Sequence, residues 1–450
     1  MVWSRGPDVE RCFNAPRSRR KNGQPDAELR CERSALSRRF KIGLTIRSAQ
    51  RTLVRKTKTA PEANRRNFLK YGAAVAAGVA VGMTAGHWAW NLSPHETIAQ
   101  TATRTETLTR TVAETSTERI SEILSCSASL RAAAEARGLL VGAAAFWLPG
   151  FDEERYGSVL AREFNFLTPE NAMKWGRVHP TPNYWSFAPA DALVKFASDH
   201  NMKVKGHAVI WDKMEMPPWV NSQMSSEELR QAMQEHINTL VGRYRGKVYA
   251  WDVVNEAVDD AEGLRKGLFF EKLGEEYIAD AFRLAHEADP DALLFYNDYN
   301  AEAAAGWRKD KSDRVYALVK KLLANRVPIH GVGLQMHITA TDYPKPKDVA
   351  ANIRRLAALG LKVNIGEMDV QIKDVPGDLT KRLEAQRQVY HDMIAACLKE
   401  EGFIAVTFWG FTDAHSWIDY FFGADDPLLF DENYQPKPAY WGVMDALLDR

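Results

Sequence analysis

The sequence has few cysteines, and none of them are arranged to bind a metal. The four, Cys12, Cys31, Cys126 and Cys397, are widely spaced and include no CxxC pair, so neither a cysteine-based metal centre nor a catalytic thiol is expected. Cys126 and Cys397 could form a disulfide or could be two unrelated thiols, and both alternatives stay open. Nucleotide-binding motifs are missing too, because Gly331-Val332-Gly333 is only a glycine pair at the start of a strand. We therefore expect no metal and no cofactor.

Acidic residues are scarce at the start of the chain. Residues 1–70 hold 19 lysines and arginines against 6 aspartates and glutamates, whereas the remainder holds 40 against 52. The net charge of +1 thus averages a basic head and a mildly acidic body. An acidic body argues against nucleic acid as the partner of the folded part. With 450 residues, 45% of them hydrophobic, the chain can bury the core of one large α/β domain or of three ordinary ones.

A strongly apolar run is missing from the head. Arg65-Arg66, followed by Phe68-Leu69-Lys70, precedes a mildly apolar stretch from Tyr71 to about Trp90 that is rich in Ala, Gly and Val. This pattern is typical of a twin-arginine export signal, placed at residues 64–92. About 20 apolar residues can also span a membrane, but the lack of Leu and Ile favours export. A clear A-x-A cleavage site is missing, so an uncleaved membrane tether stays open, as does a periplasmic or extracellular destination.

Two further segments of the head are predicted to carry no function. Residues 1–63 are basic and lack sustained periodicity. They indicate a disordered extension, or a start codon assigned too far upstream, more than a nucleic-acid-binding arm. Residues 93–126, rich in Thr, Glu, Ser and Arg, indicate a linker or a loose helix. The catalytic domain is then residues 127–450.

From residue 127 onward, helix and strand patterns alternate. The predicted strands are Leu139–Ala145, Phe164–Thr168, Val204–Val209, Val248–Asn255, Leu293–Asn297, Gly331–Met336, Leu361–Gly366 and Phe403–Phe408. Eight strand–helix units in about 320 residues predict an α/β fold, a closed (β/α)8 TIM barrel, better than an open sheet. Polar and aromatic side chains cluster just after the strands, where such barrels keep their chemistry.

Two of these strands deliver a glutamate at their C-terminal ends. Trp251–Ala257 contains Glu256, and Leu361–Asp369 contains Glu367, 111 residues later. A single strand-end glutamate is more often half of a structural ion pair. Two of them on one barrel instead predict the acid/base and nucleophile pair of a glycosidase.

Several motifs follow one another along the body: Thr168–Trp175, Gly206–Trp211, Trp251–Ala257, Gly331–His337, Trp409–Asp413, Ser416-Trp417 and Pro427–Trp441. Taken together and in this order, they resemble glycoside hydrolase family 10, the endo-β-1,4-xylanases. The resemblance covers about Ser129 to Leu448. It implies hydrolysis of internal bonds of xylan, with retention of configuration, through a covalent glycosyl-enzyme. The protein is expected to be a monomer.

By this resemblance Glu256 is the general acid/base and Glu367 the nucleophile. The chemistry agrees, because one carboxyl must be protonated to release the leaving oxygen while the other must be ionised to trap the anomeric carbon. A retaining pair is expected about 5–5.5 Å apart. Asn255 would hydrogen-bond the sugar 2-hydroxyl, and His337, between Glu367 and Asp369, would hold the nucleophile in place.

The resemblance also implies the residues that bind the sugars. Gln335 is expected to contact the acid/base or the leaving-side sugar. The non-reducing side is expected to be bound by Glu170, Asn171, Lys174, His207, Trp211, Trp409 and Trp417, with the tryptophans as walls and floor. Taken alone, His337 would more often be a structural histidine and Lys174 a surface lysine. Trp251 and Trp441 are predicted to be core.

Three positions depart from the family pattern. Gly366 stands where a threonine usually precedes the nucleophile, and Ile418 where an arginine is frequent. After Trp211, Asp212-Lys213-Met214 replaces the usual His-Ser/Asn-Gln, and the segment up to Trp219 is a residue longer. The loop at 212–216 therefore bears on specificity. The alternatives are the same machinery acting on cellulose or mixed-linkage glucan, and a non-catalytic glycan-binding barrel.

Overall fold

The structure, a computed structural model, describes residues 129–146 and 154–449. All of them belong to one compact unit, Leu108–Arg450. The segments predicted at 1–63, 64–92 and 93–126 lie outside the described residues, and so does Cys126. In the described ranges no helix is both long enough and apolar enough to cross a membrane. The mildly apolar stretch from Tyr71 to Trp90 is not among the described residues.

Eight parallel strands close into one barrel, as predicted. They are β1 Leu140–Ala145, β2 Phe166–Pro169, β3 Lys203–Gly206, β4 Ala250–Asn255, β5 Leu293–Tyr299, β6 Gly331–Thr339, β7 Lys362–Gln371 and β8 Phe403–Phe408. Each strand pairs with the next, and β8 pairs with β1. All six residues of β4 are buried, as expected for a parallel strand covered on both faces. The closed barrel brings the C-terminal ends of all eight strands to one rim.

Helices connect the strands. They are α1 Leu130–Ala136, α2 Glu154–Glu163, α3 Trp175–Val178, α4 Ala188–Asp199, α5 Ser226–Arg243, α6 Leu268–Leu273, α7 Glu276–Ala288, α8 Lys309–Ala324, α9 Pro346–Ala357, α10 Leu379–Cys397, α11 Trp417–Phe422 and α12 Pro438–Leu448. The longer ones begin at recognisable signals. Ser225, for example, caps α5 in a capping box with Glu228. The sequence pattern predicts seven of these helices, at Ser129–Arg137, Ala190–His200, Ser226–Tyr244, Glu275–Ala288, Ser312–Asn325, Lys347–Leu359 and Thr380–Glu400. It misses α2, the short α3, α6 and α11, and α12.

The strands β5, β6 and β7 run beyond their predicted ends at Asn297, Met336 and Gly366. The apolar pattern stops there, but the ladder continues through polar residues, with His337 opposite Asp369 in the register.

The prediction that Trp251 and Trp441 are core is right for Trp251, which is fully buried, and wrong for Trp441, which is 48% exposed on α12. Trp441 meets Tyr440 edge-on with the ring centres 5.0 Å apart.

Candidate active site

Four neighbouring strands bring polar side chains together at the C-terminal rim of the barrel. Parallel register aligns residues of adjacent strands, so side chains at one level meet across the ladder. The opposed pairs are Asn255 with Asn297, Gln335 with Glu367, and His337 with Asp369. Each of the six positions lies within four residues of the C-terminal end of β4, β5, β6 or β7.

Glu256 follows β4 in a left-handed backbone conformation, with φ of +56°. Such a conformation is costly for a residue other than glycine and is held by its surroundings. The Glu256 amide donates to the carbonyl of Asn297 (2.9 Å), and its own carbonyl accepts from Arg265 Nε (3.0 Å). The buried carboxyl lies 3.2 Å from Lys213 Nζ through Oε2 and 3.3 Å from Gln335 Nε2 through Oε1. Asn255 Nδ2 lies 3.4 Å from the same Oε1.

Glu367 is surrounded by donors and positive charge. Its Oε1 accepts from Asn297 Nδ2 (2.7 Å) and its Oε2 from His337 Nε2 (3.1 Å). Burial alone would raise the pKa of Glu367. The nearby His207, His337 and Lys205 outweigh burial and lower that pKa to about 2. Glu367 is therefore ionised at neutral pH, as a nucleophile must be.

His337 lies between two carboxylates. Its Nδ1 is 2.7 Å from Asp369 Oδ2, and its Nε2 contacts Glu367. Burial would lower the pKa of His337, but the two carboxylates outweigh burial and raise it to about 10. The imidazolium then donates to both acids. Trp417 Nε1 also donates to Asp369 Oδ2 (2.8 Å), and the Trp417 ring packs edge-on against His337 with the centres 4.9 Å apart.

A chain of amides joins the two carboxyl groups. Asn297 Nδ2 donates to Glu367 Oε1 and also to Asn255 Oδ1 (2.8 Å). Gln335 Nε2 lies 3.2 Å from the same Asn255 oxygen and reaches Glu256 as well. Asn297 was absent from the site expected from the sequence. The signal that marks it is an amide placed directly after the apolar run of β5.

Three of the seven residues expected on the non-reducing side, Glu170, Asn171 and Lys174, form a second cluster after β2. Asn171 links its two neighbours, since Oδ1 accepts from Lys174 Nζ (2.7 Å) and Nδ2 donates to Glu170 (3.0 Å). Lys174 is buried rather than a surface lysine, and its Nζ lies 4.7 Å from the centre of a Trp211 ring. Burial raises the pKa of Glu170 and lowers that of Lys174, while their opposite charges counteract both shifts.

His207 lies just after β3 and is tied to the barrel interior. Its Nδ1 lies 2.9 Å from Asp252 Oδ2, the oxygen that Lys205 Nζ also approaches to 2.9 Å. All three side chains are almost completely buried. A sugar contact by His207 is therefore left to Nε2. Its ring meets Trp409 edge-on with the centres 4.9 Å apart.

The departures from the family pattern have local explanations. A Cβ on Gly366 would lie 2.5 Å from Asn297 Oδ1, so any larger residue there must displace Asn297. Asp212 Oδ2 accepts from the Phe269 amide (2.9 Å) at the start of α6, and burial raises the pKa of Asp212 to about 6. Ile418 is fully buried. The contact of Lys213 with Glu256 was not expected, because nothing local in the sequence marks it.

Cys397 is buried at the end of α10 and unpaired in the part of the chain that the structure describes. Burial raises the pKa of its thiol, which disfavours the reactive thiolate. Across residues 129–146 and 154–449, no group of three or more His, Cys, Asp and Glu side chains is arranged to hold a metal ion.

Residues 129–446 match the model of glycosyl hydrolase family 10, and residues 62–82 match that of the TAT (twin-arginine translocation) pathway signal sequence. Endo-1,4-beta-xylanase B of Thermotoga neapolitana is 42% identical over 329 residues, covering 71% of this chain and 92% of that protein. Beta-1,4-xylanase of Dictyoglomus thermophilum is 44% identical over 306 residues, covering 64% and 84%. The crystal structure of xylanase 10B from Thermotoga petrophila RKU-1 in complex with xylobiose aligns with a TM-score of 0.67 at 42% identity, covering 71% of this chain and 97% of that one.

The closed parallel barrel and these matches together define the chain as a glycoside hydrolase. The chain belongs to glycosyl hydrolase family 10, and the resemblance noted in its motifs is confirmed. The signal match supports export by the twin-arginine route.

Proposed function

We propose that the chain is a retaining endo-β-1,4-xylanase that hydrolyses internal bonds of xylan. The observation that carries the proposal is the pair of carboxyl groups just after β4 and within β7, joined through amides, with Glu367 held as a carboxylate. Relatives that match along the whole barrel are named as xylanases, and one of the solved structures holds xylobiose. These likenesses support xylan as the substrate.

In the first step, Glu367 attacks the anomeric carbon and the bond to the leaving oxygen breaks. Glu256 gives its proton to that oxygen and becomes a carboxylate. In the second step, Glu256 takes a proton from water, and the water oxygen displaces Glu367 from the sugar. Two displacements restore the original anomeric configuration.

The neighbouring side chains hold these groups and the sugar. Gln335 links Asn255 to the carboxyl group of Glu256, and Asn297 links it to that of Glu367. From this position Asn255 can hydrogen-bond the 2-hydroxyl of the sugar being cleaved. His337 and Asp369 fix the position and charge of Glu367.

The sugars on the non-reducing side would be bound by the polar cluster after β2 and β3 and by three tryptophans. The polar residues are Glu170, Asn171, Lys174 and His207. The tryptophans Trp211, Trp409 and Trp417 supply apolar faces for sugar C–H groups. We also infer that the enzyme works as a monomer, which sedimentation of the active protein would test.

Two alanine variants test the roles of the carboxyl groups. We expect Glu256→Ala to lower kcat/KM on xylan by about 10²–10⁴-fold, the usual contribution of a general acid. Glu367→Ala should lower it at least as far. With an activated aryl xylobioside and added azide, Glu256→Ala should yield the β-glycosyl azide and Glu367→Ala the α-glycosyl azide, because only the first retains the covalent intermediate. Near-normal hydrolysis by either variant, or one anomer from both, would overturn the assignment.

Product analysis on xylan and on β-glucan side by side tests the substrate. Short xylo-oligosaccharides that are first released as the β-anomer, with little release from glucan, are the expected result. Preferential cleavage of glucan would keep the mechanism and change the substrate. No product from either, with the protein folded, would favour the glycan-binding alternative.

A further inference from the structure

The loop after β3 carries the Asp212-Lys213-Met214 departure and is anchored at its first residue. Asp212 Oδ2 accepts from the amide of Phe269 at 2.9 Å, near the start of α6. Close packing reinforces this anchor, since a Cβ on Gly267 would lie 2.2 Å from the same oxygen. The backbone next to Lys213 is therefore held against α6.

Lys213 lies directly against the carboxyl group of Glu256. Its Nζ is 3.2 Å from Glu256 Oε2, and its side chain is 27% exposed. The other carboxyl oxygen, Oε1, faces the amides of Gln335 and Asn255. Lys213 thus supplies the ammonium that directly contacts the carboxyl group proposed as the general acid/base.

Tyr299 fixes the position of Lys213. The Lys213 ammonium lies 4.4 Å from the centre of the Tyr299 ring and 3.4 Å from its hydroxyl. Tyr299 is held in turn, because its hydroxyl donates to Asp260 (2.6 Å) and accepts from Arg265 Nη2 (3.1 Å). Burial, with Asp260 as the acceptor, raises the pKa of Tyr299, so it remains a neutral hydroxyl.

We infer that Lys213 is a positioning residue for acid catalysis, which holds Oε2 of Glu256 and favours the carboxylate that remains after Glu256 has given its proton to the leaving oxygen. The inference rests on the proposed function. A neighbouring positive charge stabilises a carboxylate relative to its neutral acid. As the bond between the anomeric carbon and the leaving oxygen breaks, the proton moves to that oxygen and negative charge develops on Glu256 beside Lys213. For the protonated form of Glu256 that starts the reaction, the ammonium therefore makes proton donation easier. Because it also favours the ionised form of the free enzyme, kcat/KM is compared at the maximum of each variant's pH profile.

The inference predicts a dependence on the leaving group. Phenyl β-xylobioside releases a weakly acidic phenol and needs the proton, whereas 2,4-dinitrophenyl β-xylobioside releases a stable phenolate and does not. We expect Lys213→Met to lower kcat/KM about 10-fold on the phenyl substrate and less than 2-fold on the dinitrophenyl substrate. Lys213→Arg should restore most of the loss. Lys203→Met is the matched control, because Lys203 also lies over a tyrosine ring (Tyr249, 3.9 Å) but at the opposite end of β3.

Each other outcome has a definite meaning. Equal losses on both aryl substrates would indicate a merely structural role, and no loss on either would indicate no role; both overturn the inference. A loss confined to xylo-oligosaccharides would make Lys213 a leaving-side sugar contact and would also overturn it. Wild-type protein that cleaved none of these substrates would instead refute the proposed function. If Lys213→Met melted at a lower temperature, a second variant, Tyr299→Phe, would test the same inference, because it removes the hydroxyl beside Lys213. It should lower kcat/KM on the phenyl substrate selectively, but by a smaller factor.

Discussion

At the scale of single residues, His337 helps to set the charge state of Glu367, the proposed nucleophile. It lies within hydrogen-bonding distance of both Glu367 and Asp369, and its positive charge helps to lower the pKa of Glu367. We expect His337→Gln to lower kcat/KM on the order of 10²-fold through misplacement of Glu367. Loss of the charge should raise the pKa of Glu367, so the acid limb of the pH profile of kcat/KM should move to higher pH. An unchanged acid limb would show that His337 does not control this charge.

The same variant has a signature in stability. The pKa of Glu367 is lowered from 4.5 to about 2, so its contribution is present above pH 4.5 and is lost as pH falls toward 2. The pKa of His337 is raised from 6.5 to about 10, so its contribution is present below pH 6.5 and is lost as pH rises through 10. The difference in Tm between wild type and His337→Gln should therefore be largest between about pH 4.5 and 6.5 and shrink on both sides. Taking this difference cancels the contributions of titrating groups that lie away from His337.

At the scale of secondary-structure elements, two glycines should respond in opposite ways to the same substitution. Gly366 in β7 has Asn297 Oδ1 only 2.5 Å from where a Cβ would lie, whereas Gly242 in α5 has nothing within 4 Å. We expect Gly242→Ala to stabilise the protein by about 0.5–1 kcal/mol, the ordinary cost of a helical glycine. Gly366→Ala should displace Asn297 and break its bonds to Glu367 and Asn255.

The measured quantities are the free energy of unfolding and kcat/KM. Gly366→Ala should cost about 1–3 kcal/mol for the disturbed buried hydrogen bonds and should lower kcat/KM, while Gly242→Ala leaves kcat/KM unchanged. The family pattern carries a threonine at position 366, so this test separates family expectation from local packing. Wild-type activity in Gly366→Ala would mean that Asn297 can move without consequence for the nucleophile.

The elements also explain what the sequence could and could not predict. Alternating apolar strands and helices predicted the barrel, because each strand is buried on both faces and its pattern is local. The extensions of β6 and β7 were missed, since polar residues such as His337 continue the ladder where the apolar pattern stops. Lys213 was missed because its contact joins a loop to the end of another strand, which depends on the path of the chain in space. Asn297 has a local signal after the apolar run of β5, but its partners Asn255 and Glu367 lie on other strands.

At the scale of the whole molecule, the barrel and the export signal make one connected prediction. A twin-arginine route carries proteins that have already folded, so the barrel must fold in the reducing cytoplasm. Cys397 is buried and has no disulfide partner among the described residues, and Cys126 lies outside them. We therefore expect the changes Arg65→Lys and Arg66→Lys together to retain the protein in the cytoplasm with full xylan-cleaving activity. Fractionation of cells followed by activity assays measures both properties.

One of the arginine pairs outside the signal, Arg19-Arg20, provides the matched control. Arg19→Lys with Arg20→Lys makes the same chemical change in the basic head, and export should remain normal because residues 62–82 carry the signal match. Normal export of the Arg65/Arg66 variant would contradict a twin-arginine route. Cytoplasmic protein that is retained but inactive, and that recovers activity only after oxidation, would contradict a barrel that folds without a disulfide. Because the two failures have different readouts, one pair of variants tests the route of export and the chemistry of folding separately.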